Sequence, residues 1–144
     1  MRMDTSRRKF NALLLGGFGS LINPGCLYRK PEDMIDYDIR MSSSAFLPNY
    51  IKIKVGQTVT WKNNNSRAHT ITAYENRIPK SAPYFASGEF SSENESRDIW
   101  NKNMKGSLGT GEIFEHRFTV VGKYHYFCIP HELGGMIGIV DVEE

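Results

Sequence analysis

The sequence is poor in cysteine. Only Cys26 and Cys128 occur in 144 residues, and two cysteines in an exported chain ordinarily suggest a disulfide. Position argues against that pairing: Cys26 closes an N-terminal targeting segment, whereas Cys128 stands among histidine and methionine. Long apolar runs are also missing. The stretch Ala12 to Ile22 is about 11 residues, too short for a hydrocarbon core that needs roughly 20, which favours an export signal over a transmembrane anchor. Nor is there an excess of either charge. The chain has 18 Lys plus Arg against 16 Asp plus Glu; beyond residue 26 this becomes 14 basic against 15 acidic. A near-neutral domain of this kind does not read as a nucleic-acid binder.

The N-terminus does contain Ser6-Arg7-Arg8-Lys9-Phe10 ahead of that apolar stretch. A twin arginine before a short apolar region points to the route that exports already folded proteins. The expected destination is the periplasm or the outer face of the cytoplasmic membrane. Cys26 follows Gly25, as at a bacterial lipoprotein cleavage site, but Asn23 and Pro24 stand where Leu and a small residue are usual. Three readings stay open: Cys26 carries a lipid anchor, is removed with the signal, or is an ordinary thiol. The expected organisation is a signal over 1–26, a tether over 27–36 and one domain over 37–144.

Within that domain the periodicity is that of strands. Tyr37, Ile39 and Met41 alternate with polar neighbours. Ile51, Ile53, Val55, Val59 and Trp61 share one parity, with Gly56-Gln57 as a bend. Phe114, His116, Phe118 and Val120 repeat the pattern, as do Tyr124, Tyr126 and Cys128. Ile137, Ile139 and Val142 are expected on the core face of a last strand interrupted near Asp141. No stretch has a convincing amphipathic helical pattern, and Ser91 to Gly111 is expected to be a long polar loop with a short helical turn. Short strands separated by Gly, Pro and Asn turns predict an all-β sandwich or small barrel. His116 is expected to be partly buried and hydrogen-bonded, and His125, of opposite parity to Cys128, to face away from the core.

Cys128, His131 and Met136 lie in one short segment, with His69 upstream. Two imidazoles and a thiolate in a plane, with a weak thioether on the axis, suit a copper ion that cycles between Cu(I) and Cu(II). Pro130 stiffens the turn, and Gly134 and Gly135 let the backbone bend. A closed zinc site needs four strong ligands, and no second Cys-His pair exists. A nucleophilic Cys128 with a His base lacks a Gly-rich oxyanion loop beside it. The expected cofactor is one type 1 copper ion, with no catalytic residues. A copper carrier or store is the alternative, though the Met residues form no labile cluster.

These residues sit in longer motifs: Phe46-Leu-Pro48, the run from Ile53 to Asn63, His69-Thr-Ile-Thr72, and Gly122 to His131 followed by Gly135-Met136-Ile-Gly138. Through them the chain, from about Tyr37 to Glu144, resembles the cupredoxins, most closely the plastocyanin, pseudoazurin and halocyanin branch. The resemblance implies a Greek-key two-sheet β-sandwich with His69, Cys128, His131 and Met136 as copper ligands. It also implies a Thr70 amide bonded to the Cys128 sulfur and an electron-transfer surface of Ile129, Pro130, Leu133, Gly134 and Gly135 around His131. The implied role is a monomeric shuttle of single electrons between a transient donor and acceptor. Phe127 is either a second exit route or a packing residue. Two departures stand out. Ala68 replaces a frequent Pro before the first His, with Arg67 adding a charge that favours the reduced state or an acidic partner. The segment 89–111 is an insertion relative to a minimal plastocyanin.

Overall fold

A computed structural model describes residues 37–144; the signal, tether and Cys26 assignments lie outside the described residues. Eight strands form two sheets. One is ordered β2 (Phe46–Leu47), β1 (Ile39–Met41), β4 (Thr58–Asn63), β6 (Ile113–Arg117); the other β3 (Tyr50–Lys54), β8 (Ile137–Glu143), β7 (Gly122–Phe127), β5 (Thr72–Ala73). The chain repeatedly changes sheet, so β1 lies parallel to β4 and β3 parallel to β8, while the other pairs are antiparallel. The result is a Greek-key sandwich, and no helix among the described residues is long and apolar enough to cross a membrane.

Period-two alternation explains most of the core. Ile39, Met41, Val59 and Trp61 point inward from one sheet, and Tyr124, Tyr126, Val140 and Val142 from the other. Trp61 lies at the centre of an aromatic cluster, with Phe85, Phe114, Phe118 and Tyr126 rings 5.4–6.4 Å away. Such large faces bury 150–250 Å² each, which lets a small domain build a core without cross-links.

Three expectations are corrected. The run from Ile51 to Trp61 is two strands in different sheets, and Val55 at the crossing is exposed. The last strand is unbroken, and its buried positions are Gly138, Val140 and Val142; Ile137 is exposed and Ile139 half-buried. The reason is that Gly138 leaves room for a ring. A Cβ there would stand 2.2 Å from the Tyr126 ring, so the inward face carries a residue that hydrophobicity cannot flag. Residues Glu93–Asn103 form an 11-residue helix, α1. Ser92 caps it by accepting from the Glu95 amide at 3.2 Å, and the Glu95 carboxylate accepts from the Ser91 amide and hydroxyl. The Ser-x-x-Glu spacing is a capping-box signal. Apolar periodicity missed it because the fully buried helix position is Ser96.

His116 is half-buried, as expected, stacked on Phe85 at 4.5 Å and edge-on to Phe118 at 4.8 Å. Burial lowers its pKa. The unfolded chain, with an imidazole near 6.5, therefore takes a proton before the folded one as pH falls. Stability contributed by neutral His116 is complete above that value and is lost as pH drops below it toward the folded pKa. Urea midpoints at pH 8 and pH 5 should fall less in His116→Phe than in the wild type; equal falls would refute this.

Candidate metal centre

One end of the sandwich gathers the sequence-selected residues. Cys128 follows β7, and the chain then winds through a 3-10 turn, Ile129–Gly134, before Met136 leads into β8. Pro130 is the second residue of that turn, where a missing amide hydrogen costs nothing. Gly135 ends it with φ +84°, a left-handed conformation that disfavours side chains. Gly134 has no such φ and open space around it, so the expected need for glycine holds only for Gly135. Backbone bonds close the loop: Cys128 N–H to Met136 O at 3.1 Å, and Met136 N–H to His131 O at 3.1 Å. Met136 is fully buried.

His69 comes from the other side, between β4 and β5. It is not in a regular strand, since β5 begins only at Thr72; instead it makes an isolated bridge with Leu108. His69, Cys128 and His131 place one donor atom each within 4.8 Å of one another. Nδ1 of His69 lies 3.6 Å from Cys128 Sγ, and Nδ1 of His131 lies 3.4 Å from it. The Thr70 amide donates to the same sulfur at 3.4 Å. Thr70 also accepts from the Ile129 amide through its hydroxyl at 2.8 Å, joining the His69 segment to the Cys128 loop.

The electrostatics suit a soft cation. Burial lowers the His69 pKa to about 4, helped by the charges of His131 and Arg67. His131 is lowered by its own burial and by Arg67. Both rings are therefore neutral near pH 7 and present lone pairs. Burial raises the Cys128 thiol, while the Thr70 amide opposes this by favouring the thiolate. A metal ion binding here would displace the thiol proton. Nε2 of His69 is buried with no protein partner, so packing and the Nδ1 side, rather than a second hydrogen bond, orient that ring.

Sequence reasoning missed Asn63. Its side-chain amide donates to Arg67 O at 2.7 Å and Leu108 O at 2.9 Å, while its oxygen accepts from the Asn65 amide at 2.8 Å. It braces the loop that presents His69. The signal was the triplet Asn63-Asn64-Asn65, since Asn bonds readily to nearby backbone in turns. Phe127, fully buried, packs between the Tyr74 ring at 4.3 Å and the Arg97 guanidinium at 4.2 Å. Both contacts make it a packing residue.

A Greek-key sandwich with two histidines, a cysteine and a methionine at one end defines a cupredoxin. Copper binding proteins of the plastocyanin/azurin family match residues 34–143. Plastocyanin of Scenedesmus fuscus is 34% identical over 98 residues, covering 68% of this chain and 86% of that protein. Among solved structures, pseudoazurin of Methylobacterium extorquens superposes with TM-score 0.53 at 19% identity, over 74% of this chain and 73% of its own. A Cu-containing nitrite reductase of Thermus scotoductus gives 0.54 at 24% identity, over 74% of this chain but only 22% of the reductase. Both structural likenesses show the fold alone. The chain belongs to the plastocyanin/azurin family of copper-binding proteins. It is a copper electron-transfer protein whose cofactor is one type 1 copper ion.

Proposed function

We propose that this protein is an exported shuttle that carries single electrons between two redox proteins, with His69, Cys128, His131 and Met136 as the copper ligands. The observation that carries the reading is the convergence of three donor atoms within 4.8 Å at a buried end of the sandwich. Copper, when bound, supplies a one-electron couple between Cu(I) and Cu(II). The chain's residues make that couple usable. Asn63 and Thr70 fix the two segments that bring the donors together, so few atoms need move when the charge changes. The Thr70 amide directs a partial positive charge at the sulfur, which raises the potential by stabilising the electron-rich state.

The surface around His131 exposes Pro130, Leu133, Gly134 and Gly135, with Leu133 wholly accessible. An apolar rim of this kind suits brief docking of a redox partner. Arg67, which is exposed and acts on both imidazoles, biases that partner toward an acidic surface. The chain acts as a monomer, and its signal delivers it beyond the cytoplasmic membrane, with Cys26 as a potential lipid anchor.

Visible spectra and voltammetry of the copper-loaded mature domain test this. The expected result is an intense thiolate-to-copper band in the oxidised protein and a reversible one-electron wave. A colourless oxidised form would sink the reading, and rapid loss of copper to a mild chelator would turn it into a copper carrier. The mass of the native N-terminus decides whether Cys26 is retained and lipidated.

A further inference from the structure

The loop Ile129–Gly134 has no fully buried side chain of its own. Its outward anchor is Glu132, the neighbour of His131. Glu132 accepts from Tyr74 Oη at 2.8 Å and from Arg97 through Nη1 at 2.6 Å and Nη2 at 3.0 Å. Arg97 belongs to α1, in the insertion. Its guanidinium also lies over Phe127, the neighbour of Cys128, and bonds Glu93 one helical turn back at 2.8 Å. One side chain thus grips the residues flanking two of the four donors.

The helix that carries Arg97 is itself held. The Glu75 amide donates to the Glu93 carboxylate at 3.0 Å, and the Glu93 amide donates to the Glu75 carboxylate at 3.2 Å. Tyr84 Oη meets Ser96 Oγ at 3.1 Å, and Trp100 Nε1 donates to Ser107 Oγ at 3.0 Å. These bonds fasten α1 at both ends, so Arg97 reaches the loop from a fixed platform. A forked guanidinium on a carboxylate fixes direction as well as distance, which an ammonium does not. The Arg97 and Glu132 side chains are 30% and 24% exposed, so salt screens the pair only in part.

We propose that Arg97 is a positioning residue for electron transfer: from α1 it clamps Glu132 and Phe127, and thereby limits the movement of His131 and Cys128 between oxidation states. The insertion is then a brace for the metal loop rather than a surface decoration. This rests on the electron-shuttle reading, but its first test does not need copper. In the copper-free protein, amide hydrogen exchange at Glu132, Leu133 and Gly134 should speed up about tenfold in Arg97→Ala. Unchanged exchange there overturns the clamp whatever the protein's function.

In the copper-loaded protein, electron self-exchange should slow by about tenfold while the visible band remains. Arg97→Lys, which keeps the charge but not the fork, should resemble Arg97→Ala. A looser loop with wild-type self-exchange would refute the functional role, and full rescue by Lys would refute the fork. Should Arg97→Ala fail to fold, Glu132→Gln breaks the same charge pair from the loop side and should give the same changes. A colourless wild type would defeat the shuttle reading alone.

Discussion

Cys128→Ala should abolish the intense visible band of the oxidised, copper-loaded protein and its reversible one-electron wave. The sulfur lies at the meeting point of the site, 3.6 and 3.4 Å from the two Nδ1 atoms. It is the only thiol among the described residues. The band arises from charge transfer out of a thiolate, which neither imidazole nor thioether can replace. On the proposed ligand set, the remaining two imidazoles and thioether should still bind copper, but with weak colour and without the planar set that suits both oxidation states. The copper-free variant should remain folded, since a buried thiol behaves as a small apolar group. Optical titration with Cu(II) alongside voltammetry checks this, and persistence of the wild-type band would mean that another group holds the metal.

Trp61→Ala should destabilise the copper-free protein by roughly 3–5 kcal/mol, the usual range for removing a large aromatic core residue. Trp61 is fully buried and lies against Phe114 of its own sheet and Tyr126 of the other, so its loss opens a cavity where the layers meet. In a domain of about 100 residues, this lowers the thermal midpoint by more than about 10 °C. Trp61→Phe should cost less, because it retains a ring that fills most of the space between the layers. Thermal melts of both variants test this, and a small loss in Trp61→Ala would show that the layers close over the gap.

The site was more legible in the sequence than the fold around it. Cys128, His131 and Met136 lie within nine residues, so local spacing alone put them together. Copper chemistry restricts which donor types can share an ion, and this pointed to His69 as the fourth. Strand parity likewise located Ile39, Met41, Trp61, Tyr124 and Tyr126 in the core. It failed at β8, where the inward position is Gly138 and the space belongs to Tyr126 from the neighbouring strand. It failed again at α1, whose capping signal was present but whose docking is polar.

The donor set and the alternation that builds two sheets are properties of residue type and short spacing, so the chain carries them before it folds. The Asn63 brace, the Phe127 sandwich and the Arg97 clamp join residues far apart along the chain. Each depends on side-chain direction, which no single local pattern encodes. The sequence by itself determined which metal this protein holds. Only the tertiary structure set α1 against the metal loop, because the bonds between Arg97 and Glu132 exist only once both segments have folded onto the same end of the sandwich.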